Sequence, residues 1–149
     1  MPARPRGWLP EEEFFAIYRR VPRLCVEVVI VEPERGVLLK LRDIPPNVGA
    51  WHIPGGTVLF GEPLTEAVKR VARDELGLEV EVGELIGYIE YPSHYENGLD
   101  SPVGLAFRTT PRADAGAPSA GCEWFTRLPA GLYAEQREFL VAELGLTSA

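Results

Sequence analysis

The chain has 149 residues, of which 46% are hydrophobic and 25% charged, so it can bury the core of one ordinary domain. Its net charge of −7, from 22 acidic against 15 basic residues, argues against a phosphate-backbone partner, and we expect no nucleic-acid polymer. Because no apolar run reaches the length of a membrane span and no secretory signal is evident, we expect no membrane partner and a cytoplasmic location.

The first third of the chain contains one predicted helix and several predicted strands. Residues 1–8 carry prolines and arginines and are predicted to form a loose arm. Residues 10–21 are predicted to form a helix, because Pro10 and three glutamates suit its first turn and apolar residues follow at helical spacing. Segments rich in β-branched and apolar residues are predicted strands: 24–31, 37–42, 51–56 and, as one more short strand, 57–60.

Residues 62–76 form the clearest predicted helix of the chain. Pro63 suits its first turn, and Gly77 is a typical residue at which a helix ends. The apolar stripe of this helix consists of Leu64, Ala67, Val68 and Val71.

The second half of the chain contains predicted strands and a final helix. Residues 78–91 are predicted to form one or two strands, and residues 92–101 a polar loop. The remaining predicted elements are strands at 103–109 and 122–126, a loop at 111–121 and a helix at 132–144. Strands mixed with three helices predict an α/β or α+β fold, in which residues 1–149 form a single domain. The two cysteines, Cys25 and Cys122, are expected to be small buried thiols.

Two carboxylates near the end of the 62–76 helix suggest a metal site. Positions 71, 74 and 75 are three and four residues apart, so an α-helix places them on one face. Asp74 and Glu75 then form a two-acid cluster, and carboxylate oxygens suit Mg²⁺ or Mn²⁺. The alternative is an amphipathic helix with ordinary acids on its wet face.

The segment from Gly56 to Leu78 resembles the signature box of Nudix hydrolases. Gly56 is followed by five residues and Glu62, then by seven residues and Arg70, and the match continues through Gly77. Two positions depart from the box: Val71 stands where the family has glutamate, and Asp74 also replaces a glutamate. The resemblance implies an α/β/α sandwich with a mixed β-sheet between helices.

The same resemblance implies a divalent-metal hydrolase that acts on a small-molecule nucleoside diphosphate derivative. It implies that the metal ligands are the Gly55 carbonyl, Asp74 and Glu75, of which Glu75 also serves catalysis. It further implies that Arg70 is a catalytic-site residue that pairs with Glu62 or Glu66 and orients the acids. A metal at this place would neutralise the charge that protects a diphosphate from attack.

One subfamily, GDP-mannose mannosyl hydrolase, also lacks glutamate at the box position that Val71 occupies here. Its members attack the sugar carbon. The chain resembles it over residues 9–80, including the leading helix at 9–21. Glu27 matches an acidic position of that subfamily, and Arg42 matches an arginine that contacts the nucleotide diphosphate. The resemblance therefore implies a GDP-mannose-like nucleotide sugar, with Glu27 and Arg42 as substrate-binding residues, and pairing into a homodimer.

The resemblance to this subfamily weakens after residue 80. Residues 118–121 lack its Gln-His pair, which supplies a metal ligand and the general base, and Thr57 replaces an arginine. His94 is a candidate for the base, since imidazole suits proton transfer near neutral pH. His52 and Tyr95 are candidate substrate-binding residues.

The missing glutamate leaves three functions open. The first is hydrolysis of a nucleotide sugar, and the second is a weakened pyrophosphohydrolase that attacks phosphorus, with Glu96 as base. In either case Glu90 is a candidate for an extra metal ligand. The third is a Nudix-like module that binds a nucleotide without cleaving it.

Overall fold

A computed structural model describes residues 7–45 and 47–149. The arm predicted for residues 1–8 lies outside the described residues except for Gly7 and Trp8, which belong to no helix or strand. The α-helices are α1 (Glu11–Tyr18), α2 (Leu64–Val71), α3 (Pro92–Tyr95) and α4 (Ala134–Leu144). The strands are β1 (Arg23–Val29), β2 (Val31–Glu32), β3 (Gly36–Leu41), β4 (Trp51–His52), β5 (Gly55–Thr57), β6 (Val80–Glu90), β7 (Pro102–Pro111) and β8 (Cys122–Phe125). Within the described ranges, no helix combines the length and apolar character needed to cross a membrane.

The strands form two sheets. The first has the order β5-β1-β7-β6, in which β1 and β7 are parallel and the outer pairs are antiparallel, so this sheet is mixed. The second has the order β2-β3-β4, and β8 also pairs with β3. The chain passes from one sheet to the other three times: between β1 and β2, between β4 and β5, and between β7 and β8.

Helices cover the sheets from two sides. Val26, Val28 and Leu38 contact the α2 side, where Val68 and Val71 complete one apolar cluster. A second cluster contains Val29, Val37 and Leu39 together with Phe139 and Leu140 of α4. Neighbouring residues of β1 and β3 thus face opposite clusters, as the two-residue period of a strand requires. This arrangement confirms the predicted α/β/α fold with a mixed sheet.

The helix that begins at Leu64 changes its winding before it ends. From Ala72 to Leu76 it is a π-helix, and Gly77 then ends it in the left-handed region with φ of 66°. A π-helix has a wider turn than an α-helix, so α-helical spacing no longer decides which residues share a face. Val71 is buried, whereas the Asp74 side chain is 65% exposed. Val71 and Asp74 thus differ in exposure, whereas α-helical spacing predicted one shared face for residues 71, 74 and 75.

Several predicted boundaries differ from those observed. The first helix ends at Tyr18, three residues before its predicted end, and the last begins at Ala134. Residues 58–60 form no strand, while residues 80–90 form one strand with shifts in register. The predicted polar loop 92–101 begins with the short helix α3. Cys25 is buried as predicted, and Cys122 is only partly buried.

Gly36, the first residue of β3, allows a test of the packing between β3 and β8. This glycine has φ of +84°, and a Cβ atom on it would lie 1.9 Å from the carbonyl oxygen of Phe125 in β8. Gly36→Ala combines backbone strain with a clash against paired backbone. We expect it to lower the free energy of unfolding by at least about 3 kcal/mol in urea denaturation.

Gly116 is the matched control for this substitution. Its φ is +77°, and no atom lies within 4 Å of the place where a Cβ atom would be. Gly116→Ala should therefore lower the free energy of unfolding by only about 1–2 kcal/mol, the ordinary strain of the left-handed region. Equal losses for the two variants would contradict the packing described for β3 and β8.

Candidate active site

A cavity of about 760 Å³ opens between α1, β1, the β4–β5 segment and residues 98–102. It brings together six of the predicted site residues: Glu27, Arg42, His52, Gly55, Glu75 and His94. The other three do not line it: Arg70, Asp74 and Tyr95.

Glu75 is the carboxylate of the box that faces the cavity. Its Oε2 atom accepts a hydrogen bond from Lys40 Nζ at 2.5 Å. Its backbone carbonyl accepts a hydrogen bond from Ser119 Oγ at 3.2 Å, which fastens the helix end to the loop before β8. Asp74 is not among the residues that line the cavity, and its Oδ2 atom lies 3.8 Å from Nη1 of Arg70. The two acids of the box therefore have different surroundings.

The oxygen donors on this wall fit a hard divalent cation in kind. The Glu75 carboxylate and Gly55 line the same cavity, and Asp74 is the neighbour of Glu75 on the helix. In the part of the chain that the structure describes, no group of three His, Cys, Asp or Glu side chains is arranged to hold a metal. The available set is thus two carboxylates and a carbonyl, and Mg²⁺ usually keeps several water ligands.

Arg70 holds the loop before α2 instead of lining the cavity. Its guanidinium donates to both carboxylate oxygens of Glu62, at 2.7 and 3.0 Å, and to the carbonyl of Thr57 at 2.8 Å. These hydrogen bonds from Arg70 hold the pKa of Glu62 below its usual value. Of the two partners predicted for Arg70, the structure has Glu62, while Glu66 pairs with Lys69 at 3.6 Å.

Glu27 lies fully buried in a slot between two glycines. A Cβ atom on Gly55 would lie 2.6 Å from Glu27 Oε2, and one on Gly104 would lie 2.2 Å from Oε1. Both glycines are the strand neighbours that flank this part of β1, one in β5 and one in β7. Burial raises the pKa of Glu27 to about 7, against the opposing effects of Tyr91 and Arg23. This carboxyl therefore titrates near neutral pH.

A chain of buried hydrogen bonds connects Glu27 to α4. The Tyr91 hydroxyl donates to Glu27 Oε1 at 2.7 Å, and Gln136 Nε2 donates to the Tyr91 oxygen at 2.9 Å. Gln136 Oε1 in turn accepts a hydrogen bond from the backbone N–H of Ile53 at 2.7 Å. Burial raises the pKa of Tyr91 well above its usual value, so its proton stays in place to serve Glu27.

His52 presents a neutral imidazole to the cavity. Its Nδ1 atom lies 2.9 Å from the carbonyl oxygen of Ile53, which assigns the proton to Nδ1 and leaves Nε2 as an acceptor. Burial lowers the pKa of His52. The ring stacks at 6.1 Å on Tyr133.

On another part of the cavity lining, three polar side chains form a connected series: His94, Asp100 and Arg23. The Nδ1 atom of His94 lies 3.3 Å from Asp100 Oδ1, and Arg23 Nε donates to Asp100 Oδ2 at 2.6 Å. The hydrogen bond with His94 and the charge of Arg23 lower the pKa of Asp100 to about 2. The ionised Asp100 can thus orient the imidazole, as carboxylates do for catalytic histidines.

The remaining candidates occupy different places. Arg42 lines the cavity, and its Nη2 donates to the carbonyl of Pro45 at 3.1 Å. Tyr95 is 50% exposed and lies outside the cavity lining. Glu90 and Glu96 line a separate groove beside α4, so neither shares the cavity with Glu75.

The sequence prediction missed several residues of the site, among them Arg23, which donates to Asp100. Lys40 belongs to a segment that was predicted only as a strand of the fold. Gln136 and Tyr133 belong to the C-terminal part of the chain, which carries no motif. The only sequence signal was the polar Lys40 in an otherwise apolar strand. Gln136 could not be found because its partners lie 45 and 83 residues away.

Comparison with known proteins gives a family match and several relatives. A model of the family described as NUDIX domain matches residues 21–140. The low-salt glycan biosynthesis protein Agl8 of Haloferax volcanii is 41% identical over 105 residues, which cover 69% of this chain and 67% of that protein. An ADP-ribose pyrophosphatase of Methanocaldococcus jannaschii is 36% identical over 69 residues, covering 46% of this chain and 41% of that protein. The chain thus spans about two thirds of the first relative and less than half of the second.

Solved structures give the same fold. A MutT Nudix hydrolase from Burkholderia pseudomallei is similar with a TM-score of 0.69 and 29% identity, over 80% of this chain and 96% of that one. The MutT protein from Methanosarcina mazei is similar with a TM-score of 0.67 over 83% of this chain and 94% of that one. Its 22% identity makes it evidence for the fold alone.

The buried carboxyl of Glu27 predicts a pH dependence of stability. Since its pKa rises from 4.5 to about 7 on folding, the folded state holds a proton that the unfolded chain has lost. The stability that this proton contributes is complete below pH 4.5 and disappears as the pH rises through 7. Glu27→Gln should therefore gain about 3 kcal/mol relative to wild type between pH 4.5 and pH 8, measured by urea denaturation.

Glu84→Gln is the control, because Glu84 is an exposed glutamate paired with Arg108 on the surface. Its pH profile should run parallel to that of the wild type. If the Glu27→Gln profile also ran parallel to wild type, Glu27 would have an ordinary pKa and the account of its slot would be wrong.

Proposed function

This chain belongs to the Nudix hydrolase family, and from that membership we propose that it is a Mg²⁺- or Mn²⁺-dependent hydrolase of a nucleoside diphosphate linked to another moiety. The second moiety is a sugar, so that the substrate is a nucleotide sugar resembling GDP-mannose.

The observation that carries this proposal is the shared cavity. Glu75 and Gly55 of the box line it together with Arg42 and His94, so cation ligands, a phosphate clamp and a proton acceptor face one space. Its volume of about 760 Å³ lies within the usual range for small-molecule sites. Phe14 of α1 lines the same space and can contact the apolar part of a nucleoside. A diphosphate with a group at each end therefore suits this cavity.

The relatives support the sugar as the second moiety. The relative from Haloferax volcanii is named for glycan biosynthesis. The relative from Methanocaldococcus jannaschii is named for ADP-ribose, itself a nucleoside diphosphate linked to a sugar. Both names are consistent with a nucleotide-sugar substrate for this chain.

Each residue has a distinct part in the proposed reaction. When bound, the divalent cation neutralises the diphosphate and makes it a better leaving group. Glu75, with Asp74 and the Gly55 carbonyl, holds that cation, and the Arg42 fork clamps a phosphate. Arg70 acts indirectly, because its hydrogen bonds to Glu62 keep the loop before α2 in place.

His94 is the proposed acceptor of the proton from the attacking water. Asp100 fixes Nδ1 of the imidazole, which leaves Nε2 to receive the proton. Glu27 and His52 bind substrate from the floor of the cavity. The acceptor atoms are a carboxyl oxygen of Glu27 and Nε2 of His52. Tyr95, the last residue of α3, lies outside the cavity lining, so its proposed contact with substrate requires α3 to move towards the cavity.

A non-catalytic nucleotide-binding module is the second candidate function. It is favoured by Val71, which is buried in the core where many relatives of this family carry a carboxylate. The third candidate, attack at phosphorus with Glu96 as base, has less support because Glu96 lines the separate groove.

The domain organisation, the pairing of chains and the cellular location are further parts of this proposal. That residues 1–149 form one domain, that two chains pair and that they reside in the cytoplasm are predictions. Pairing is consistent with α1, which has no buried residue and leaves Phe15 47% exposed and Ile17 37% exposed.

A substrate screen with Mg²⁺ and Mn²⁺ tests the proposed activity. We expect turnover of at least one nucleotide sugar in a panel with ADP-ribose, dinucleoside polyphosphates and nucleoside triphosphates. Glu75→Gln should lower kcat/KM by at least about 100-fold without loss of the fold, because the cation loses its main ligand.

Glu79→Gln is the matched control, since Glu79 is exposed and bonded to Arg73 outside the cavity. It should keep the wild-type rate. An unchanged kcat/KM for Glu75→Gln would refute the proposal that Glu75 binds the cation. No turnover of any compound, with clear thermal stabilisation by one of them, would favour the binding module.

The attacked atom and the base are tested together on the substrate found. Hydrolysis in ¹⁸O-labelled water should place the label in the sugar, since attack is proposed at carbon. His94→Gln should lower kcat by about 10²–10⁴-fold, because the attacking water loses its proton acceptor.

Asn97→Ala is the control for the loop, because Asn97 donates to the carbonyl of Ser93 without touching His94. It should leave kcat unchanged. Label in the phosphate would establish attack at phosphorus, and an unaltered kcat for His94→Gln would exclude His94 as the base.

A further inference from the structure

Lys40 places a positive charge directly on the carboxylate proposed to bind the cation. It lies in β3, where its strand neighbours are His52 of β4 and Cys122 of β8. Its Nζ atom is 2.5 Å from Glu75 Oε2, and the two side chains are only 23% and 34% exposed. Partial burial weakens the screening by water and salt, so this pair is stronger than a pair on the open surface.

The position of Lys40 is unusual for this chain. Only two lysines occur in the sequence, Lys40 and Lys69. Lys69 makes a looser contact of 3.6 Å with Glu66 on the exposed side of α2. Lys40, in contrast, follows four buried residues of β3, where an ammonium group is unfavourable unless it is paired. Glu75 supplies that pairing.

Two features of the site reduce its negative charge. Val71 contributes no carboxylate, and Lys40 compensates one of the two that remain. A cation that binds Glu75 must first separate this carboxylate from Nζ, so the ion pair opposes cation binding. The apparent dissociation constant equals the intrinsic constant divided by the fraction of molecules in which the pair is open.

We propose that Lys40 is a built-in cation that competes with the divalent metal for Glu75 and weakens its binding to the free protein. This inference rests on the proposed function, because it takes Glu75 as a metal ligand. Once separated from Glu75, the ammonium group is available to donate to a phosphate oxygen in the same region. The metal is then held best when an anionic diphosphate arrives with it.

Binding of Mn²⁺ alone tests this proposal without any substrate. Free Mn²⁺ is counted by electron paramagnetic resonance during titration of the protein at constant pH and salt. Lys40→Met removes the charge with little change in length and should tighten Mn²⁺ binding about three- to tenfold, the effect expected from a partly exposed ion pair. Lys40→Arg keeps the charge and should remain within about twofold of wild type.

Two controls separate the ion pair from a general effect of charge. Lys69→Met changes the net charge equally and should leave Mn²⁺ binding unchanged. In a Glu75→Gln background, Lys40→Met should give no further tightening, because the pair no longer exists. Circular dichroism and a thermal melt establish that each variant is folded.

The outcomes distinguish this inference from the proposed function. If Glu75→Gln weakens Mn²⁺ binding while Lys40→Met leaves it unchanged or weaker, the role of Lys40 is refuted and the cation site stands. If Lys40→Met tightens binding equally with and without Glu75, the effect is long-range charge and the competition is refuted. If wild type and Glu75→Gln bind Mn²⁺ equally or not at all, both the cation site and the inference fail.

Discussion

The buried carboxyl of Glu27 is the contact on which the site depends most. Its two oxygens fill the space that side chains at Gly55 and Gly104 would occupy, so three strands approach each other only because these two residues are glycines. The hydrogen bonds through Tyr91 and Gln136 extend the same constraint to α4 and to the backbone of Ile53. The first sheet, the last helix and the lead-in to the box are therefore held by one chain of polar contacts. A network of this kind specifies a unique arrangement when every member is satisfied.

Much of the fold follows from local features of the sequence. The alternation and β-branched content of residues 24–31 predicted β1, and Pro63 and Gly77 marked the two ends of the box helix, because each of these signals acts within a few residues. The winding of the segment between Ala72 and Leu76 could not be predicted in this way. It depends on how the helix end packs, and of the two acids in this segment Glu75 lines the cavity while Asp74 is exposed.

The candidate site shows the same division between local and distant information. The box spacing identified Glu75 and Gly55, and the structure places both on the cavity wall with Glu27, Arg42, His52 and His94. The partners of the site residues could not be predicted from the sequence, because they are distant along the chain. Lys40 and Glu75 are 35 residues apart, and Arg23 and Asp100 are 77 residues apart. Sequence patterns therefore indicated most of the candidate residues that line this cavity. Only the folded arrangement shows which charges surround them and hence which protonation states they hold.

The burial of Val71 limits what evolution can do with this site. A methyl group of Val71 would lie 2.9 Å from a Cβ atom at Gly56, and the side chain belongs to the cluster formed with Val26 and Val68. A glutamate introduced at position 71 in this setting would put an unpaired charge into the core, at a cost of several kcal/mol in ordinary proteins. Neighbouring residues would have to change first to make room and supply a partner. A carboxylate at position 71 is therefore not accessible to this chain by a single substitution without a loss of stability.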